Sequence, residues 1–177
     1  GKVEKTVAFS LSSLASTLSK MAYDVCLYVN QNFGFLKLPE SFTTGSSIMP
    51  HKKNPDVFEL IRAKCNRIQS LPTEISFVMN NLPSGYFRDL QVIKESFLPA
   101  FDEIKSCLFM ADMITARLEV NKNILEDERY KYLFSVEEVN RLVAEGIPFR
   151  DAYRKIAETI RDGSYNPAMK VMHSHEG

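Results

Sequence analysis

The chain has 177 residues, of which 45% are hydrophobic and 25% charged, and its 22 basic and 22 acidic side chains give a net charge of zero. This composition is typical of a soluble globular protein, and the balanced charge gives no general attraction to nucleic acid or to an anionic membrane. No apolar run approaches the roughly 18 residues that a transmembrane helix needs. We therefore expect a soluble chain that binds neither nucleic acid nor membrane.

A long helix is the first predicted element, beginning near Val7. Apolar residues recur along it every three or four positions, which is the spacing of a helix in a bundle. A second stripe of mostly small residues lies one position further along and lets another helix approach closely. We therefore expect this helix to pack on two sides. The first stripe is Val7, Leu11, Leu14, Leu18, Met21, Val25 and Tyr28, and the second is Ala8, Ala15, Ala22 and Val29.

The stretch "TTGSSIMPHKKNPD", Thr43–Asp56, separates this helix from the next one. Gly45, Pro50 and Pro55 exclude a regular helix, and the density of polar side chains excludes a buried strand. The sequence therefore predicts a loop at this position.

Two more long helices are predicted after the loop. The first is expected to begin with Asn54 as its N-cap and Pro55 at its first helical position, and to kink at Pro72. A third helix is predicted from about Asp89 to Glu119, with a bend at Pro99. Together with the first helix they would form the rods of a bundle.

After Val120 the pattern changes to short helices. Ser135 and Glu138 have the spacing of a capping box, and Gly146 is expected to stop the helix that they begin. The next helix is predicted to present one apolar face. That face comprises Phe149, Ala152, Tyr153, Ile156 and Ile160.

These patterns predict an all-α fold in two parts. Residues 1–119 would form part of a long-helix bundle that carries the loop at 43–55, and residues 120–177 would form a small helical domain. The chain opens on Gly1 rather than methionine and ends on "MHSHEG" without a closing element. We therefore expect it to be a piece of a longer protein.

The cysteines and two of the histidines could suggest a metal site or disulfides. Cys26, Cys65 and Cys107 are far apart, odd in number and set within helical patterns, so we predict reduced core thiols and a cytoplasmic protein. His173 and His175 form an H-x-H near the chain end, where exposed histidines are more common than metal ligands. No metal site is predicted.

The loop carries a motif with a clear family resemblance. The segment "GSSIMPHKKNP", Gly45–Pro55, resembles the signature of the fumarase/aspartase superfamily of lyases, which combines two serines, a Met-Pro step, a lysine and Asn-Pro. The resemblance implies a bundle of long helices that assembles with its copies into a homotetramer. It also implies catalysis without a metal or organic cofactor.

A second segment indicates the branch of that superfamily. "GYFRDLQVIKE", Gly85–Glu95, is similar to the segment with which argininosuccinate lyases hold the arginine half of their substrate. The matching residues are Tyr86, Gln91 and Lys94. "EGIPFRDAYRKIA", Glu145–Ala157, is similar to the small C-terminal domain of that family, so the resemblance covers nearly the whole chain.

The resemblance also implies roles for residues of the loop. Ser46 would be the general base that removes a proton from the carbon next to a carboxylate. Ser47, Lys52 and Asn54 would bind the substrate, with Lys52 and Asn54 holding the carboxylate as its charge grows. Donors already in place for such a charge are worth about 3 to 4 kcal/mol each.

Two residues are expected to support this site. Gly45 would act as a hinge of the loop, because a serine base needs a closed, water-excluded pocket. Glu59, about one turn into the following helix, would orient Lys52. His51 stands where the family more often has glutamine, and we assign it no chemistry.

The function expected from the resemblance is the elimination of fumarate from argininosuccinate, which leaves arginine in the last step of arginine biosynthesis. Two alternatives remain open: a lyase of the adenylosuccinate type, and a crystallin-like structural member without catalysis. The 177 residues alone are expected to be inactive, because the family associates the general acid with a histidine from an N-terminal region. The resemblance further implies that each site combines residues from three subunits.

Overall fold

The computed structural model describes residues 1–45 and 53–166. It divides the chain into two units, Gly1–Asn121 and Lys122–Gly177. Helices dominate both units, and the strands of the described ranges are only two residues long. The predicted all-α fold class is therefore confirmed. Within the described ranges, no helix combines the length and apolar character that a membrane crossing requires.

The described part of the first unit contains four α-helices: α1 (Lys2–Tyr28), α2 (Asp56–Ile68), α3 (Leu71–Val78) and α4 (Lys94–Thr115). α1 packs against each of the other three, and α2 also packs against α4. With 27 residues, α1 is about 40 Å long at 1.5 Å per residue. It is the longest helix in the described part of the chain and sets the length of the unit.

The buried face of α1 combines three of the seven residues of the first predicted stripe with three of the four residues of the second. Its apolar members are Ala8, Leu11, Ala15, Leu18, Ala22 and Val25. The other four residues of the first stripe are less covered, and Leu14 and Tyr28 among them are 40% and 37% exposed. In the single chain, therefore, one side of α1 is packed and the other is open.

The second predicted helix is two helices rather than one kinked helix. α2 ends at Ile68 and α3 begins at Leu71, and Pro72 sits at the start of α3. Proline is well tolerated there, because the first N–H groups of a helix have no intrahelical acceptor. The Ser70 hydroxyl also donates to the Arg67 carbonyl at 2.7 Å, which gives the break a local hydrogen bond. The predicted kink at Pro72 is thus a helix end.

The predicted N-cap at Asn54 is also wrong. α2 begins at Asp56 with Pro55 at the cap position, where its side chain makes no capping hydrogen bond. Asn54 is instead paired with Thr44 in a short strand ladder. The backbone of Asn54 is extended there, because the residue belongs to the strand pair at the base of the loop rather than to the start of the helix.

The third predicted helix is shorter than expected at both ends. A 3-10 turn covers Arg88–Gln91, and α4 starts only at Lys94 and continues through Pro99. After α4 the chain forms strand β4 (Glu119–Val120), which pairs antiparallel with β1 (Leu36–Lys37). This pairing joins the chain beyond α4 to the segment that follows α1.

The second unit centres on α5 (Ser135–Ala144) and α6 (Phe149–Arg161), which pack against each other. Its buried core is Val139, Leu142, Ala152, Ile156 and Tyr165. The last helix buries only part of its predicted face, because Phe149 and Tyr153 are exposed.

The predicted capping box of α5 is not formed. Phe134 occupies the cap position without a side-chain bond, and Glu138 is buried and accepts a hydrogen bond from Arg141 Nε at 3.1 Å. Ser135 is already the first residue of the helix, one position past the cap. Gly146 follows the end of α5 with a φ of 95°, a conformation that favours glycine, so the predicted stop is confirmed.

The three cysteines are free thiols, as predicted, and Cys65 and Cys107 are buried in the core. Burial raises the pKa of the Cys65 thiol to about 12 and raises that of Cys107 as well. At pH 8 this raised pKa lowers the thiolate fraction of Cys65 about a thousandfold. The thiolate is the form that reacts with thiol reagents. We therefore expect Cys65 to react with a thiol reagent only after unfolding, and well after the half-buried Cys26.

A spectrophotometric thiol titration at pH 8, with and without denaturant, measures this difference. A Cys26→Ser variant serves as the control, and its folded form should lose the faster phase. Equal rates for Cys65 in folded and unfolded protein would contradict the burial described above.

Candidate active site

The polar loop is closed at its base by a short strand pair. Strand β2 (Thr44–Gly45) runs antiparallel to β3 (Lys53–Asn54), with Thr44 opposite Asn54 and Gly45 opposite Lys53. The residues between the strands, 46–52, lie outside the described ranges. The roles predicted for Ser46, Ser47 and Lys52 therefore stay predictions, and His51 falls in the same segment.

Two side-chain contacts reinforce the base of the loop. The Thr44 hydroxyl donates to Asp56 in the first turn of α2, and Lys53 forms an ion pair with Glu40. The Lys53 ammonium lowers the pKa of the Glu40 carboxyl by its hydrogen bond. Both contacts hold Asn54 directly before the N-terminus of α2, where free backbone N–H groups favour an anion.

The two residues predicted to support the site lie on either side of residues 46–52, Gly45 in β2 and Glu59 in α2. Glu59 lies in the first turn of α2 and is exposed. A Cβ added at Gly45 would meet nothing within 4 Å, so space at the strand pair does not require a glycine there. The hinge role of Gly45 and the orienting role of Glu59 both stay predictions.

The residues predicted to hold the arginine half do come together. The Gln91 side-chain amide donates to the Tyr86 hydroxyl, and Lys94 lies one turn beyond Gln91 at the start of α4. All three line one cavity of about 290 Å³. Gly85 has a φ of 126°, which only glycine adopts readily, and so permits the turn that precedes Tyr86.

One further residue of this cavity was not anticipated from the sequence. Glu4, in the first turn of α1, lines the cavity beside Gly1. Glu4 is more than 80 residues from Tyr86 along the chain. Only the packing of α1 against α3 and α4 brings the two together, so no local pattern could have found Glu4.

The two groups of predicted site residues lie at opposite ends of the first unit. The strand pair that carries Asn54 follows the C-terminal end of α1, and β1 and β4 pair near the same end. The cavity with Tyr86, Gln91 and Lys94 lies beside the N-terminal end of α1. Because α1 is about 40 Å long, one copy of the chain does not bring both groups to one small substrate.

The described residues contain no group of three or more histidine, cysteine, aspartate or glutamate side chains arranged to hold a metal ion. His173 and His175 lie outside those residues.

Sequence comparisons relate the whole chain to known lyases. A family model described as lyase matches residues 5–70. The argininosuccinate lyase of Phocaeicola vulgatus is 63% identical over all 177 residues, and that of Thermotoga neapolitana is 40% identical over 158 residues, or 89% of the chain. The chain spans about 40% of the length of each of these relatives.

Solved structures share the fold at much lower identity. A fumarate lyase:delta crystallin from Brucella melitensis superposes with a TM-score of 0.74 at 20% identity, over 90% of this chain and 36% of its own. A class II fumarase from Schistosoma mansoni gives 0.73 at 20% identity, over 93% of this chain and 33% of its own. At this identity the likeness concerns the fold alone.

Proposed function

Since this chain belongs to the argininosuccinate lyase family within the fumarase/aspartase superfamily, we propose that it supplies part of an active site that eliminates fumarate from argininosuccinate and leaves arginine. The observation that carries the proposal is the shared cavity of Tyr86, Gln91 and Lys94. These are the residues that the resemblance assigns to the arginine half. A site that selects an amino acid needs such a small group of convergent polar side chains within an otherwise apolar wall.

The loop at the other end of the first unit would carry the proton abstraction. Removing a proton from the carbon next to a carboxylate places a second negative charge on that carboxylate, which must be met by donors already in position. Ser46 would take the proton, and Ser47, Lys52 and Asn54 would bind the carboxylate. α2 begins two residues after Asn54, and its N-terminus would add its backbone N–H groups.

The distance between the two groups implies a site shared between copies. Asn54 and Tyr86 lie near opposite ends of α1, which is about 40 Å long, whereas a substrate the size of two joined amino acids is far shorter. Antiparallel packing of several copies would bring the loop end of one against the cavity end of another. The open side of α1, which includes Leu14 and Tyr28, provides an apolar surface for such packing.

We assign the complete enzyme to a cytoplasmic homotetramer that uses no metal or organic cofactor. Each site in this arrangement takes residues from three subunits, as the superfamily resemblance implies. The 177-residue chain alone would then be inactive.

A chimera provides the test of this assignment. In it, the present chain replaces the matching 40% of the Phocaeicola vulgatus relative. We expect it to release fumarate, followed by ultraviolet absorbance, from argininosuccinate and not from adenylosuccinate. Turnover of adenylosuccinate alone would favour that branch of the superfamily. A folded chimera that releases fumarate from neither substrate would favour the crystallin-like structural role.

Substitution of Lys94 or Gln91 is expected to affect substrate binding more than the chemical step. A hydrogen bond to a charged group is worth about 1.5 to 3 kcal/mol, so Lys94→Met or Gln91→Leu should raise KM roughly tenfold or more. Because neither residue would meet the developing charge, kcat should change much less. Steady-state kinetics of fumarate release from the chimera measures both constants.

Lys105→Met is the matched control, because Lys105 is an exposed lysine on the same helix, outside the cavity. It should leave both constants unchanged. An unchanged KM with a collapsed kcat for Lys94→Met would move Lys94 from substrate binding to the chemistry.

A further inference from the structure

We propose that Cys65 and Cys107 form a two-coordinate site for a soft monovalent cation, the cuprous ion, inside the core of the first unit. The site is separate from the proposed reaction, because each cysteine lies roughly two to four turns into its helix, away from Asn54 and from Lys94. The ion would therefore not be a cofactor of the elimination.

The packing of α2 against α4 brings the two cysteines together. Glu103 of α4 forms ion pairs with Arg67 and Lys64 of α2, and its Oε1 atom lies 3.6 Å from Lys64 Nζ. Along α2, Cys65 lies between these two basic residues, and on α4 Cys107 lies one turn beyond Glu103. The two thiols hydrogen-bond to each other. Two sulfur ligands from different helices are thus already side by side.

The surroundings of the pair determine which ion suits it. Cys65 and Cys107 are 0% and 2% exposed and belong to the main hydrophobic cluster. Zinc takes four ligands, and calcium and magnesium take six or more oxygen ligands or waters, which a dry pair of thiols does not provide. Cu(I) is a soft ion that prefers thiolate ligands, and two of them in a line satisfy it.

Binding exchanges two protons for one ion. Each thiol would release its proton to solvent, each sulfur would bind the ion, and no electron would be transferred because the ion enters as Cu(I). Burial raises the pKa of both thiols and Glu103 raises it further, whereas the Lys64 ammonium lowers that of Cys107. A coordinated thiol is deprotonated outright, so a thiophilic ion can still displace these protons. Lys64 would then face the single negative charge of the complex.

A titration of the reduced 177-residue chain with Cu(I) tests the inference, carried out without oxygen and in competition with the chromophoric chelator bicinchoninate. We expect one ion per chain to be withdrawn from the chelator, slowly, because the thiols are buried. Cys65→Ala and Cys107→Ala should each lower the affinity about a hundredfold or more, because one of two thiolate ligands is lost. X-ray absorption at the copper edge should show two sulfur neighbours.

Cys26→Ser is the matched control, because Cys26 is a free thiol outside the pair and is only half-buried. It should leave the affinity and the stoichiometry unchanged. If an alanine variant fails to fold by circular dichroism, the serine variant at the same position replaces it and should show the same loss. Failure to compete with the chelator, an equal loss of affinity in Cys26→Ser, or nitrogen or oxygen neighbours in place of the two sulfurs would overturn the inference.

Discussion

The 177-residue chain on its own is expected to release no measurable fumarate from argininosuccinate, under conditions in which the chimera turns the substrate over readily. One reason is geometric. Asn54 and the cavity residues Tyr86, Gln91 and Lys94 lie at opposite ends of α1, so a single copy cannot surround one substrate. Correct positioning of reacting groups can be worth about 7 to 11 kcal/mol, and most of that would be lost.

A second reason is chemical. Cleavage of the carbon–nitrogen bond requires a proton on the leaving guanidino nitrogen as well as the removal of one from carbon. The superfamily resemblance associates the acid with a histidine of an N-terminal region, and the three histidines of this chain, His51, His173 and His175, do not lie in a segment of that kind. The chain would therefore hold the base and lack the acid.

The measurement is a fumarate assay with the purified chain at high concentration, with the chimera as the positive control. Circular dichroism confirms that the chain is helical under the assay conditions. Turnover comparable to that of the chimera would show that the acid lies within these 177 residues, and that one or a few copies complete the site.

Ser46→Ala in the chimera is expected to lower kcat by about 10²- to 10⁴-fold, the usual contribution of a general base. KM should change little, because the hydroxyl group would act on the proton rather than hold the substrate. The fumarate assay gives kcat, and exchange of the substrate proton with deuterated solvent reports on the base alone.

Ser41→Ala is the matched control, because Ser41 is an exposed serine in the 3-10 turn shortly before the loop. It should leave turnover intact. Unchanged proton exchange after Ser46→Ala would show that another group is the base and would limit Ser46 to a contact with the substrate.

The parts of the fold that follow from local physics could be predicted from the sequence. The periodicity of α1 indicated a bundle helix, and Gly146 indicated the end of α5. The density of glycine and proline in Thr43–Asp56 indicated an interruption between helices. In each of these cases a few neighbouring residues determine the local structure, and the tertiary packing is compatible with that structure.

The errors arose where a distant contact or a neighbouring group took precedence. Asn54 is a residue type that often caps helices, but its backbone is paired with that of Thr44 in a strand ladder. Ser135 and Glu138 have the spacing of a capping box, but Ser135 lies one position past the cap. The Glu138 carboxylate accepts a hydrogen bond from Arg141. The break after Ile68 has the sequence pattern of a kink, because a proline just inside a helix start and a proline within a helix look alike in sequence.

For the site, the sequence indicated which residues could bind the substrate, and the structure shows which of them line the same cavity. Tyr86, Gln91 and Lys94 lie within nine positions, so their proximity could be expected from sequence. The membership of Glu4 in the same cavity could not, because it depends on the packing of α1. The separation of this cavity from Asn54 likewise follows only from the helix directions.

In the proposed assembly, the loop end of one copy and the cavity end of another complete a single lyase site. This arrangement is tested most directly by mixing two inactive chimeras, one with Ser46→Ala and one with both Gln91→Leu and Lys94→Met, under conditions that allow subunit exchange. Random assembly gives half of the sites an intact loop and half an intact cavity, so about a quarter should have both. We predict that the mixture recovers up to about that fraction of the unsubstituted fumarate release. A mixture no more active than the sum of its two components would contradict this arrangement.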